Sequence, residues 1–332
     1  MNYEHIWNEW SDSARFSGVF SVSNENGFVF EKCAGLRNRS ENLPNNRNTA
    51  FGIASGTKLF TGLAACKLIE ENKLSLHARI CDILPYCLGQ INKRVTVFHL
   101  LTHTSGVGDY IDEDAEDCEE QLQALYDKYP VQLWTRLEYY LQMITPLPPK
   151  FEPGERYGYS NSGFILLGLV IEAVSGTPYQ QFVTDNVISP LNLTHTGFYR
   201  MDSLPENTAF GYMGNGCTNI FSLPIIGGSD GGLFTCSGDI DQLWHALFSK
   251  EILSEKMLNA FLGQQSTINE NESYGFGIYQ YKSDINLFYY AVGGDAGVSF
   301  FTAYKPEKKL IVSMLTNMEL NVYPLMELFM GR

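Results

Sequence analysis

No stretch of the 332-residue chain approaches the roughly 18 consecutive apolar residues that span a bilayer. Its opening, MNYEHIWNEWSDSARF, carries neither the basic region nor the apolar core of a signal peptide. Basic side chains are scarce: 23 Lys and Arg against 37 Asp and Glu leave a net charge of −14, which repels phosphate backbones and anionic lipid. The sequence therefore predicts no nucleic-acid partner and no membrane. Seven cysteines are widely spread, with no CxxC pair among them. That pattern fits thiols in a reducing compartment better than a disulfide framework or a zinc site, so the expectation is a soluble cytoplasmic protein. Repeats, low-complexity segments and linkers are also missing. At 44% apolar and 13% aromatic, disorder is excluded, and the length gives a prior of about two domains.

Patterning changes twice along the chain. Ile6, Trp7 and Trp10 recur at near-helical spacing. Gly18-Val-Phe-Ser-Val-Ser and Phe28-Val-Phe-Glu-Lys-Cys then flank an Asn/Gly turn and predict a hairpin. From 55 to 200 the runs are helical, at Leu59–Glu71, Val97–Leu101, Tyr129–Met143, Phe164–Val174 and Tyr179–Val187. Strand-like runs return at Tyr274–Tyr281, Leu287–Val292, Val298–Tyr304 and Leu310–Leu315, before a closing helix at Tyr323–Met330. Strands at both ends need partners. The economical answer is an α/β (α+β) fold in which one antiparallel sheet is shared by both termini and flanked by helices. The corresponding division is 1–50 with 220–332 as a sheet-containing domain, and 51–219 as an inserted helical domain.

Ser55-Gly-Thr-Lys58 is the one S-x-x-K in the chain, and it opens an apolar helical run. Residues three apart share a helix face, so the serine hydroxyl would lie at the positive helix end with an amine beside it, which eases alkoxide formation. About one such motif is expected by composition alone, and a capping serine followed by a solvated lysine is the plain alternative. The second signal is the Pro/Gly loop ending in Tyr159-Ser-Asn161, just before a helix. There a phenol and an amide can face one cavity. A tyrosine whose pKa is depressed by a neighbouring ammonium can serve as a general base. The plain alternatives are a packing tyrosine and an asparagine N-cap.

S-x-x-K followed about a hundred residues later by P-G-x-x-x-x-Y-S-N-x-G resembles the serine β-lactamase and penicillin-binding protein superfamily, in its class C β-lactamase, D-alanyl-D-alanine carboxypeptidase and carboxylesterase branch. His99-Leu-Leu-Thr-His103-Thr-Ser-Gly106, Ser175-Gly-Thr-Pro-Tyr, Pro190-Leu-Asn-Leu-Thr-His-Thr-Gly-Phe198 and Gly227-Gly-Ser-Asp-Gly-Gly also look like its signatures. The resemblance implies a β-lactamase/transpeptidase-like fold without a cofactor. It makes Ser55 the acylated nucleophile, Lys58 its proton partner, Tyr159 the base and Asn161 a substrate amide clamp. The oxyanion donors would be the backbone N–H groups of Ser55 and Gly294. The chain departs from the family at its third motif. Where Lys-Thr-Gly or His-x-Gly is usual, this sequence has Ala291-Val292-Gly293-Gly294. Gly293 still lets substrate approach the backbone, but the group expected to attract a carboxylate is missing.

Two other features carry less. His99 and His103 have the spacing of a zinc pair but lack the Glu of H-E-x-x-H, so packing and capping roles are expected and no metal is assigned. The acidic run Asp109 to Glu120 is read as a solvated loop. The expectation is a metal-independent serine hydrolase acting on a small-molecule or short-peptide substrate: a small ester, an amide or a D-amino-acid peptide. The competing expectation is a weakly active or non-catalytic penicillin-binding relative that keeps the fold.

Overall fold

The computed structural model describes residues 3–5, 7–8, 16–113 and 115–330; of the opening amphipathic segment, Ile6 and Trp10 lie outside them. Its main sheet has eight strands: β1 (Gly18–Asn24), β2 (Gly27–Ala34), β3 (Ser266–Thr267), β4 (Glu272–Tyr274), β5 (Tyr279–Lys282), β6 (Leu287–Asp295), β7 (Val298–Lys305) and β8 (Leu310–Thr316). Their spatial order is β2-β1-β8-β7-β6-β5-β4-β3. Both termini therefore share one antiparallel sheet, through Gly18 opposite Thr316 and onward to Ser23 opposite Ile311. The Asn/Gly hairpin forms as expected, with a register shift between Val22 and Ser23.

Side chains alternate across a strand, and the two faces of this sheet bury different partners. Val19, Leu315, Ile311, Phe300, Tyr304 and Ala291 face the large core under the helical region. Phe20, Val22, Met314, Phe301 and Tyr290 face a second core, closed by Leu325, Met326 and Phe329. Trp7 joins that second core, stacked on Phe20 with ring centroids 5.9 Å apart.

Six helices frame the sheet and the cleft at its edge: α1 (Thr57–Glu70), α2 (Val97–Leu101), α3 (Cys118–Lys128), α4 (Asn161–Ser175), α5 (Ser237–Phe248) and α6 (Tyr323–Met330). α1 and α4 are apolar on nearly every side, with Leu59 to Ala65 and Asn161 to Ile171 buried; a helix of that kind belongs in the interior. They pack on each other and set their N-termini near the β6 edge. α5 covers the same face of the sheet at its β1 and β8 strands, where the buried Trp244 donates Nε1–H to Thr302 Oγ1 at 2.8 Å. No single described helix is long and apolar enough to cross a membrane.

Three local expectations change. Tyr274–Tyr281 is two strands joined by a turn, because Gly277 at φ +98° reverses the chain between Tyr274 and Tyr279. Tyr129–Met143 is broken into short turns at Val131–Leu133, Leu137–Tyr140 and Leu141–Ile144, with Pro130 ending the preceding helix. The acidic stretch is only partly loop, since its last residues begin α3, where Asp and Glu suit the positive helix end.

Candidate active site

Ser55 lies in a 3-10 turn, Ala54–Gly56, that runs directly into α1. Ala54 before it holds a left-handed backbone at φ +45°, an uncommon state for a residue with a Cβ. The turn is tied down by Gly56 N–H to Ile53 O at 2.8 Å and Thr57 Oγ1–H to Ala54 O at 2.7 Å. One helical turn on, Lys58 Nζ comes within 2.9 Å of Ser55 Oγ. The i and i+3 geometry thus places amine against hydroxyl.

The loop into α4 supplies the other contacts. Tyr159 OH stands 2.7 Å from Ser55 Oγ. Asn161 accepts at Oδ1 from Lys58 Nζ at 2.7 Å and donates from Nδ2 to Glu113 Oε1 at 2.8 Å. The N-cap of α4 is Ser160, which accepts from Gly163 N–H, so Asn161 is the first helical residue and its side chain is free to act in the site. Asp109 anchors the same helix start, taking N–H from Asn161 and Ser162 at 2.8 Å each. A carboxylate there satisfies open helix donors and complements the dipole.

Lys58 is completely enclosed and has three partners: Ser55 Oγ, Asn161 Oδ1 and the backbone oxygen of Asp230 at 2.7 Å. Burial pulls its pKa below the ordinary lysine value, while Asp230, Glu113, Asp109 and Asp295 pull the other way. Two of the partners can only accept. A neutral amine would give them its two N–H bonds and keep its lone pair for the Ser55 hydroxyl. The phenol behaves against expectation. Burial, followed by the nearby Glu113, pushes Tyr159 well above the ordinary tyrosine range instead of below it. Desolvation penalises the phenolate, and the neighbouring Glu113, Tyr279 and Tyr274 disfavour it further.

Gly293 packs against the nucleophile's backbone. A Cβ there would stand 2.2 Å from Ile53 O and 2.9 Å from Ser55 N, so no larger residue fits without moving the turn. Gly294 lies directly opposite Ser299. Ser299 N–H donates to Thr316 Oγ1 and its C=O accepts from the same hydroxyl, so both face β8. The backbone groups of Gly294 must then face away from β7. β5 pairs with β6 only as far as Tyr290, so the Gly294 N–H opens onto the cleft. Ala291 is elsewhere: it is 4% exposed, faces the core, and lines neither cavity beside Ser55. A cation at this position would be buried, so Ala291 cannot by itself decide how the cleft treats a carboxylate.

Two cavities meet at Ser55. The smaller, about 340 Å³, is walled by Tyr110, Leu122, Trp134, Tyr140, Ile220 and Leu223, with Asn161, Asp230 and Asp295 at its edge. The larger, about 700 Å³, runs past Tyr159, Arg156 and Tyr279 to α6. Glu113 borders both. Asp295 is an exposed residue at the rim of the cleft, and the protein atoms crowded around its carboxyl, together with the charges of Glu113 and Asp230, raise it above the ordinary carboxylate value, toward about 7.

The structure thus brings Ser55, Lys58, Tyr159, Asn161, Gly293 and Gly294 to one place. Sequence reasoning missed Asp109, Tyr110, Glu113, Asp230 and Asp295. The first three follow the His-Thr-Ser-Gly stretch and Asp230 sits in Gly-Gly-Ser-Asp-Gly-Gly, so the motifs marked the segments without revealing what they touch. His99 and His103 take the expected roles. His99 closes a capping box with Thr96 at the start of α2, and His103 is fully buried.

The family model described as Beta-lactamase matches residues 6–323. "Protein flp" of Staphylococcus aureus (strain N315) is 32% identical over 206 residues, 60% of this chain and 38% of that protein. "Penicillin-binding protein 4*" of Bacillus subtilis (strain 168) is 27% identical over 279 residues, 79% of this chain and 59% of that one. The chain thus spans less than two thirds of the length of these curated relatives. Among solved structures, a penicillin binding protein from Bacillus halodurans superposes with a TM-score of 0.90 at 37% identity, covering 99% of both chains. A D-stereospecific amidohydrolase from Streptomyces sp. does so at 0.79 and 24% identity, covering 97% of this chain and 96% of that one, a likeness of fold alone.

Proposed function

The chain belongs to the beta-lactamase family, and from that premise we propose that it is a serine hydrolase that forms and then hydrolyses an acyl-enzyme on Ser55. The observation that carries this reading is the convergence of two proton-bearing groups on one hydroxyl, Lys58 Nζ at 2.9 Å and Tyr159 OH at 2.7 Å. Ser55 Oγ gives its proton to the Lys58 amine as it attacks a carbonyl carbon. The carbonyl oxygen becomes an oxyanion between the Ser55 and Gly294 N–H groups, and the tetrahedral intermediate collapses when the leaving group takes a proton. Tyr159, relayed from Lys58, is the donor. Water then repeats the sequence on the ester, with the proton moving back through the same groups.

Proton delivery also orients the substrate. The leaving group must face Tyr159, which borders the larger groove, so the acyl part occupies the smaller apolar chamber. The larger groove is bordered by one cation, Arg156, and by Glu113, Glu272 and Glu327. Such a groove favours neutral or ammonium-bearing leaving groups over carboxylates. A small ester or amide with a compact apolar acyl part is the substrate class this supports, and a D-amino-acid peptide fits it where the leaving part carries no free carboxylate. A cytoplasmic location is part of the same reading. It is supported by the spread of the thiols, two of which, Cys66 and Cys236, are buried.

Mass spectrometry after incubation with p-nitrophenyl esters and with a penicillin tests the reading. A mass increase mapped to the Ser55 peptide, absent in Ser55→Ala, is expected with both probes, with turnover faster for the esters. An adduct on another serine, or unchanged hydrolysis by Ser55→Ala, would overturn it.

A further inference from the structure

His103 pairs two features that a core residue ordinarily avoids. Its backbone is left-handed at φ +54°, and its imidazole is completely buried with no hydrogen-bond partner for Nε2 among the described residues. Features of this kind persist only where the surroundings hold them in place, and they cluster where geometry matters. Here the surroundings are the Tyr159 loop. His103 Nδ1 accepts the Ser160 N–H at 3.1 Å, and the His103 backbone oxygen accepts the Gly158 N–H at 2.8 Å. Those are the two residues on either side of Tyr159. The imidazole also lies against the Tyr159 ring, with centroids 4.5 Å apart, and is boxed in by Phe164 at 4.9 Å and Tyr274 at 4.7 Å.

We propose that His103 is the positioning residue of Tyr159, gripping both flanking amides and the ring so that the phenol hydroxyl rests on Ser55 Oγ. The proposal builds on the reading of Ser55 and Tyr159 as reacting groups. Because Nδ1 accepts, the ring must be neutral with its proton on Nε2. Burial and the nearby Lys58 hold its pKa well below the ordinary histidine value, which keeps it in that form. His103 takes no part in the chemistry, since its acceptor nitrogen is occupied by backbone.

The left-handed backbone makes a clean substitution pair. Glycine and asparagine both tolerate that conformation. His103→Gly removes ring and acceptor, whereas His103→Asn returns an acceptor at the δ position. His103→Gly should lower kcat on p-nitrophenyl butanoate on the order of 10², the scale of a misplaced catalytic group, with KM little changed. His103→Asn should recover about tenfold or more of that loss. In a Tyr159→Phe background, His103→Gly should cost less than about twofold, because its effect passes through the phenol. Amide hydrogen exchange reads the grip without turnover: Ser160 N–H protection should fall in His103→Gly and return in His103→Asn. Equal impairment of the two variants, an undiminished loss in the Tyr159→Phe background, or Ser160 exchange indifferent to the substitution would each overturn the proposal. Should His103→Gly not fold, His103→Gln, whose acceptor lies one bond too far out, takes its place in every comparison. A wild-type protein that acylates with no probe would defeat the hydrolase reading, and the exchange measurement would still decide whether His103 holds the loop.

Discussion

Lys58 Nζ lies 2.7 Å from the backbone oxygen of Asp230, while the carboxylate of that same residue accepts a hydrogen bond from the Tyr110 hydroxyl. The amine is therefore held by a carbonyl dipole, not locked to an anion. An ion pair would fix Lys58 as ammonium, whereas a dipole positions it and leaves its charge to the balance between burial and the nearby carboxylates. The consequences for proton transfer can be measured.

Lys58→Ala should be inactive in acylation, with no time-dependent labelling of Ser55, because no other described base contacts the hydroxyl except the high-pKa phenol. Tyr159→Phe should still acylate, with kcat lowered by roughly 10²–10⁴, the usual worth of a positioned acid or base. Single-turnover labelling separates the two. Equal and complete loss in both variants would mean that the phenol takes the serine proton itself.

Glu113 faces the site through Asn161 and stabilises the ammonium of Lys58. Removing its charge makes the lysine easier to deprotonate, and Tyr159 as well. In Glu113→Gln, which can keep the bond to the Asn161 amide, the acid limb of the kcat/KM profile should move to lower pH. A limb that stays in place or moves upward would show that another carboxylate governs Lys58.

Asp295 supplies a stability test. Its carboxyl is raised from an unperturbed 3.8 to about 7, so between these values the folded chain keeps a proton that the unfolded chain has released. Stability is then lost as pH rises through that window. Asp295→Asn, which can keep the acceptor for the Ala296 N–H, should match wild type in thermal melting near pH 4 and exceed it by a small margin near pH 8, because solvent around the exposed side chain screens its charge. A difference independent of pH would rule out this linkage.

The apolar chamber invites a steric probe. Ile220→Trp should lower kcat/KM for octanoyl esters while leaving acetyl esters nearly unchanged, since only the longer chain reaches that wall. Equal losses for both esters would place the acyl group in the other cavity.

Elements with strong local signals were legible before any tertiary contact was known. The Asn/Gly hairpin, the two apolar helices and the late strands follow from periodicity and turn chemistry, which act over a few residues. Ser55 and Lys58 were legible as a pair because three residues along a helix is a fixed distance, and Tyr159 and Asn161 because a loop and a helix start throw them to one side. Charge states were not legible. Tyr159 reads from its neighbours in sequence as a phenol to be depressed, and it is raised because burial in the packed site, and then Glu113, Tyr279 and Tyr274 from other segments of the chain, disfavour the phenolate. Burial and electrostatics sum over everything nearby in space, whatever its place in the chain. The same holds for Ala291, whose motif position suggested a cleft residue while strand alternation turns it to the core. It holds also for His103, whose hold on Ser160 joins residues that only the packed helices bring together.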